Sequence, residues 1–303
     1  MGNVASGMND SGRPVEFGYF LVPNAADPLL DTARTADRLG LDLIGVQDHP
    51  YQRRHIDTWT LLSMIAATTE RIRVFPDVAN LPLRSPAVLA KSAATLDLLS
   101  GGRVELGLGA GAFWDAIEAY GGPRRAPGEA VSALEEAIAV IRLIWSGERN
   151  LKFDGDHYRL AGAQGGPEPA HPIGIWLGAV GPRMLKVTGA LADGWVPSSS
   201  WATPDRLPVF HAAIDEAAEA AGRSPADIRR IYNVNGTVTD GASEGFLHGP
   251  ADQWADELTD LAVGYGMDTF VFWGEGDPDV QLRRFAEEVV PLTRERIAAE
   301  RAS

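Results

Sequence analysis

Four short stretches gather the polar and flexible residues that could do chemistry in this chain. They are Asp48-His49-Pro50, Asp77-Val78-Ala79-Asn80, Gly107-Leu108-Gly109-Ala110-Gly111 and Gly178-Ala179-Val180-Gly181-Pro182. Each follows an apolar run. His49 could move a proton near neutral pH. Asp48 could serve the same site or simply cap a turn. A glycine turn that opens a helix, as at 178–182, presents backbone N–H groups and a helix dipole to a phosphate. Tyr51, Phe113, Trp114, Trp201 and Trp273 stand near the same strand ends and could wall a substrate pocket. Such a set suits a flat, largely apolar cofactor with a polar tail better than it suits hydrolysis.

Two other chemistries are disfavoured. His49 and His55 lie six residues apart in a loop, with no carboxylate motif to complete a metal site. Gly241-Ala242-Ser243-Glu244-Gly245 spells a nucleophile elbow. A loop follows where the helix should be, and His248 comes without an acid in the required order.

The elements that must position these residues alternate regularly. Strands are expected at 15–22, 42–47, 72–78, 103–108, 173–177, 194–197, 228–237 and 269–273, each followed by a helix. The strands are mostly apolar, as in a parallel sheet buried on both faces. This pattern predicts an α/β fold, a (β/α)8 TIM barrel, with insertions after strands four and seven. The segment 146–172 breaks the rhythm and reads as an excursion holding a small hairpin. An open doubly wound sheet would want a Rossmann fingerprint, and Ala112 stands where its third glycine belongs. Residues 1–14 are expected to form a flexible tail, and 15–303 a single domain.

A chain of 303 residues with 45% apolar content can bury a large core. Its net charge of −14 argues against nucleic-acid or anionic-membrane partners. The absence of cysteine excludes disulfides, zinc–thiolate sites and iron–sulfur clusters, and is compatible with a cytoplasmic protein. No apolar run approaches the ~20 residues of a membrane span.

The stretch from Phe75 to Pro86, with Lys91-Ser92-Ala93-Ala94-Thr95-Leu96-Asp97, Ser100-Gly101-Gly102-Arg103 and the glycines at 107–111, resembles the bacterial luciferase-like oxidoreductases. The segment Leu177-Gly178-Ala179-Val180-Gly181-Pro182-Arg183-Met184-Leu185-Lys186, closed by Ala192-Asp193-Gly194-Trp195, is similar to the deazaflavin (coenzyme F420) branch that includes methylenetetrahydromethanopterin reductase. The resemblance runs from about residue 15 to 290. It implies F420, with FMN as the alternative cofactor.

By the same resemblance, a non-proline cis peptide falls at Asp77-Val78, and the bulge there backs the flavin's central ring. Asn80 hydrogen-bonds the pyrimidine side. Residues 178–182, with Arg183 nearby, hold the cofactor phosphate, and Gly109 and Gly111 complete the cofactor site. Asp48-His49 matches an acidic-residue-plus-histidine pair whose histidine faces the substrate and handles a proton. Some sugar-phosphate dehydrogenases of this branch carry a glutamate just after the strand-four glycines; Ala112 takes that place here.

The expected activity is therefore hydride transfer between deazaflavin C5 and a small, fairly apolar organic substrate. Alternatives are a reduced-FMN monooxygenase using O2, and a non-catalytic flavin-binding relative. A separate flavin or F420 reductase could act as partner. Relatives commonly dimerise through the helices flanking strands two and three, so a homodimer is expected.

Overall fold

The computed structural model describes residues 10–303. These residues form twelve strands: β1 Glu16–Leu21, β2 Leu43–Val46, β3 Arg73–Pro76, β4 Ala79–Asn80, β5 Leu106–Gly109, β6 Leu151–Asp154, β7 Arg159–Ala163, β8 Ile175–Leu177, β9 Gly194–Trp195, β10 Arg229–Val238, β11 His248–Gly249 and β12 Thr269–Gly274. Nine of them run parallel in the order β3-β2-β1-β12-β10-β9-β8-β5-β4. Since β4 continues the path of β3, and Val74 bridges to Val104 just before β5, the sheet closes on itself. The (β/α)8 barrel read from the sequence is present, with its third strand divided in two.

That division falls at Asp77-Val78, which is a cis peptide. Before it, Arg73–Pro76 pairs with Leu43–Val46; after it, Ala79 and Asn80 pair with Leu108 and Gly109. The expected single strand over 72–78 therefore ends at Pro76. Gly107 permits the close approach of β5 at this point, because a Cβ there would collide with the Pro76 carbonyl.

Among the described residues ten α-helices pack outside: α1 Leu29–Arg38, α2 Thr58–Thr68, α3 Pro86–Ser100, α4 Trp114–Ala119, α5 Pro127–Trp145, α6 Pro182–Leu191, α7 Leu207–Ala220, α8 Ala251–Thr259, α9 Pro278–Arg284 and α10 Val290–Ala302. Their starts are chemically marked. Asp57 accepts from the Thr60 N–H to cap α2, and prolines open α3, α5 and α6 with their fixed φ. Gly101 at φ 72 closes α3 in the left-handed conformation. The excursion after β5 carries the antiparallel hairpin β6–β7, and the segment after β10 carries β11.

The barrel interior is lined by Phe20, Leu43, Phe75, Trp176, Ile231 and Val271, a packed apolar cluster. Toward the C-terminal ends of the strands that lining turns polar, with Asp77, Asn233 and Asn235. Of the proposed tail, residues 1–9 lie outside the described residues. Asp10 pairs with Arg301, and Arg13 with Asp268.

Candidate active site

Four strand ends, the last of them leading into a helix start, converge at the C-terminal mouth of the barrel. Asp48, His49 and Tyr51 follow β2; Val78, Ala79 and Asn80 follow the division of the third strand; 109–113 follow β5; 178–181 follow β8 and open α6. Together they line a depression of about 260 Å3.

Its floor is Val78. A Cβ at Gly109 would stand 2.8 Å from the Val78 methyl, and one at Gly178 3.3 Å from it. The missing side chains leave a flat apolar surface that a planar ring system could cover. At the edge of this floor the Asn80 side-chain oxygen is buried without a hydrogen-bond partner. An unpartnered buried acceptor next to an open floor is what a ligand N–H would satisfy. Opposite, the backbone of 178–181 leads into α6, whose Pro182 sits at the first turn. A Cβ at Gly181 would meet nothing within 4 Å, so space remains beside that N-terminus for an anion.

Asn80 is held from behind by Asp48. The Asp48 carboxylate accepts from the Asn80 backbone N–H at 2.9 Å and from Arg84 Nε and Nη2, each at 2.7 Å. Its side chain is fully buried. Arg84 also reaches Asp57, the cap of α2, at 3.1 Å. Asp48 lines the depression with its oxygens already engaged, so its work is to fix the Asn80 loop. This pair spans 36 residues and was invisible in the sequence.

His49 forms one wall. Its ring stacks on Tyr51 with centroids 5.4 Å apart and meets the edge of Phe113 at 5.3 Å. Burial holds the imidazole below the usual histidine range, opposed by the Asp48 carboxylate and helped slightly by His55. It is therefore neutral at pH 7 and ready to accept a proton. Burial, with the Asp48 carboxylate adding to it, pushes the Tyr51 phenol up to about 12, the Asn80 amide acting the other way.

Other residues singled out in the sequence fall outside this lining. Asp77 sits behind Val78, inside the barrel, where Asn233 Nδ2 donates to it at 3.1 Å. Trp114 opens α4 and packs against Gly111. Trp201 stands on the rim, 69% exposed. Trp273, partly buried near the C-terminal end of β12, stacks on Phe20 at 4.3 Å instead. Arg183 is exposed and leans toward Gly128 at the start of α5, while Met184 lines the depression in its place. Met184, Ala110 and Ala112 were not singled out as pocket residues; the available signal was that Ala110 lies inside the 107–111 glycine run, Ala112 directly after it and Met184 two residues after the 178–182 turn. Among the described residues no group of acidic, histidine or cysteine side chains could hold a metal, and no helix is long and apolar enough to cross a membrane.

Comparison with known proteins agrees with this geometry. The chain is 32% identical over 212 residues to the F420-dependent glucose-6-phosphate dehydrogenase of Amycolatopsis mediterranei (strain U-32), covering 68% of this chain and 63% of that protein. It is 32% identical over 233 residues to the protein of that name from Kineococcus radiotolerans, covering 74% and 68%. The match thus spans just under two thirds of the first of these relatives. In three dimensions the chain superposes on an F420-dependent secondary alcohol dehydrogenase with a TM-score of 0.83 and 20% identity, over 93% of this chain and 99% of the other. It superposes on the coenzyme F420-dependent tetrahydromethanopterin reductase of Methanopyrus kandleri at 0.78 and 20% identity, over 92% and 99%. At that identity the likeness establishes the fold. The family model for luciferase-like monooxygenases matches residues 5–245, and the chain belongs to that family.

Proposed function

We propose that the chain is an F420-dependent oxidoreductase that moves a hydride between C5 of the deazaflavin and a carbon of a small, fairly apolar, uncharged substrate. One observation carries this reading: the flat Val78 floor between Gly109 and Gly178, edged by the orphaned Asn80 oxygen, beside a neutral His49. The relatives of 32% identity, named for F420-dependent dehydrogenation, support it.

When bound, the deazaflavin supplies the hydride chemistry. The protein's residues do the rest. Val78 supports a ring from behind, Asn80 accepts a ring N–H, and the backbone of 178–181 at the start of α6 takes the phosphate. His49 takes the hydroxyl proton of an alcohol substrate, or returns it to a carbonyl. Tyr51 and Phe113 hold the imidazole ring in place by stacking on it and meeting its edge.

The substrate reading departs from the activity for which those relatives are named. The described residues that line the depression include no lysine or arginine, and Arg84 is spent on Asp48 and Asp57. A phosphate ester would find no cation there, and Ala112 offers no acid. FMN with an O2-consuming cycle and a separate reductase is the competing reading, favoured by the family's description as monooxygenases. Equilibrium titration of the purified protein with F420 and with FMN separates them: tight F420 and weak FMN binding is expected, and the reverse order overturns the proposal.

We also infer a cytoplasmic homodimer. Met64, Val88 and Leu99 are exposed on α2 and α3, beside a groove of about 470 Å3 that includes Trp59 and Leu96. Native mass determination at micromolar concentration tests this; a monomer would overturn it.

A further inference from the structure

The interior of the barrel holds a second ionisable group that the reading above does not use. Asp77 extends from the end of β3 across the top of the apolar cluster to Asn233 on β10, and both residues are buried. The single bond between them, Asn233 Nδ2 to Asp77 Oδ1 at 3.1 Å, leaves two acceptors over. Asp77 Oδ2 and Asn233 Oδ1 are each buried without a partner. Asp77 Oδ2 lies over Gly45, where a Cβ would stand 2.8 Å from it and 2.8 Å from the Phe75 ring.

Nothing nearby offsets a negative charge on this carboxyl. From β2 the titratable groups are Asp48, locked to Arg84, and His49. From β10 come Asn233 and Asn235, from β1 Phe20, from β12 Trp273 and from β5 Gly107 and Gly109, none of which titrates. A carboxylate here would keep one neutral hydrogen bond in an apolar surround, a costly arrangement. A carboxylic acid gains a donor at the oxygen that lacks a partner, in a cluster whose other unmet needs are acceptors.

We propose that Asp77 works as a neutral carboxylic acid that ties β3 to β10 beneath the ligand floor, a second proton-holding group beside His49. It is a positioning residue: it stands behind Val78 and acts on the ligand through that residue. Burial pushes its carboxyl up to about 7, so ionisation falls within the ordinary working range. Above that pH the floor sits on an unpaired buried anion, and binding of a phosphate-bearing cofactor weakens. If only the protonated form binds, the apparent dissociation constant rises about tenfold between pH 6 and pH 8.

The ligand arm of this proposal rests on the proposed function; the first test does not need a ligand. Thermal melts of the wild-type protein and of Asp77→Asn, an isosteric variant that keeps a donor, are compared at pH 5 and pH 8. The variant's Tm is expected to rise relative to wild type as the pH increases. An identical difference at both pH values overturns the proposal.

Should Asp77→Asn fail to fold, 13C titration of aspartate-labelled wild-type protein decides. One carboxyl carbon shifting between pH 6 and 8 supports the proposal, and completion of every aspartate titration below pH 6 overturns it. Deazaflavin titrations at pH 6 and 8 then show the tenfold weakening in wild type and its absence in the variant. Equal weakening in both contradicts the coupling to the ligand. No deazaflavin binding at any pH contradicts the proposed function and leaves the melts to judge Asp77.

Discussion

Replacing Arg84 by leucine should expose how the site is held together. Arg84 gives the fully buried Asp48 carboxylate two of its three hydrogen bonds, at 2.7 Å each, and the third comes from the Asn80 backbone at 2.9 Å. Arg84→Leu leaves a buried carboxylate with one neutral donor. Breaking a buried pair from one side costs roughly 3–5 kcal/mol. Arg84 is 19% exposed, so water can partly replace it, and the lower end, about 3 kcal/mol, applies. Its contact with the half-exposed Asp57 adds little.

For 303 residues, an unfolding entropy of roughly 2.1 cal/mol/K per residue converts that loss to a fall in Tm of about 5 °C. Urea unfolding and melts at pH 7 measure it directly. Asp48→Asn combined with Arg84→Leu should recover part of the loss, with a coupling energy of at least about 1.5 kcal/mol. The single variant should also bind cofactor more weakly, because the Asn80 loop loses its anchor. A loss below about 1 kcal/mol with no coupling would place the pair among ordinary surface ion pairs and refute the reasoning.

Three further outcomes follow from the same geometry. With the His49 imidazole held below its ordinary value by burial, kcat/KM for alcohol oxidation should rise with pH to a plateau, with the midpoint of the rise below the ordinary histidine value; His49→Ala should cut the rate by roughly 10²–10⁴-fold and abolish that limb, and an unchanged profile would remove the histidine from the proton path. His211, buried on α7, is pushed down to about 3, so the folded state resists its protonation and stability is lost as pH falls from 6.5 toward 3. Between pH 7 and 5 the wild type should lose about 2 kcal/mol more than His211→Leu in urea titrations, and equal losses would contradict this. Gly109→Ala places a methyl 2.8 Å from Val78 and should weaken cofactor binding at least about tenfold while costing roughly 1–3 kcal/mol of stability; an unchanged dissociation constant would mean the ligand does not lie on that floor.

Much of the frame was legible in the chain because it depends on local periodicity. Apolar runs that meet Pro23, Asp48 and Gly274 marked where β1, β2 and β12 stop to within a residue or two, and helix starts such as Asp57 and Pro182 are written in side-chain chemistry. The division of the third strand was not legible as pairing. The run 72–78 looks continuous, and only the closed barrel shows that Arg73–Pro76 has one neighbour and Ala79–Asn80 another. Helix α4 was missed because six residues carry too little periodicity.

Within the site, His49, Val78, Asn80 and the glycines could be placed from strand ends alone. The direction of a side chain could not. Trp273 faces the barrel interior by strand parity and stacks on Phe20, whereas Trp201 points away at the rim. The Asp48–Arg84 and Asp77–Asn233 pairs join residues 36 and 156 positions apart, and no local signal announces contacts of that range.

The most direct test of the central claim is a label transfer. The protein is incubated with F420 and a small secondary alcohol carrying deuterium at its carbinol carbon, and the cofactor is then analysed for deuterium at C5. Deuterium on the reduced deazaflavin, with the ketone formed in equal amount, is the predicted result. No transfer from any such alcohol, with O2 consumed instead in the presence of reduced FMN, would contradict the account.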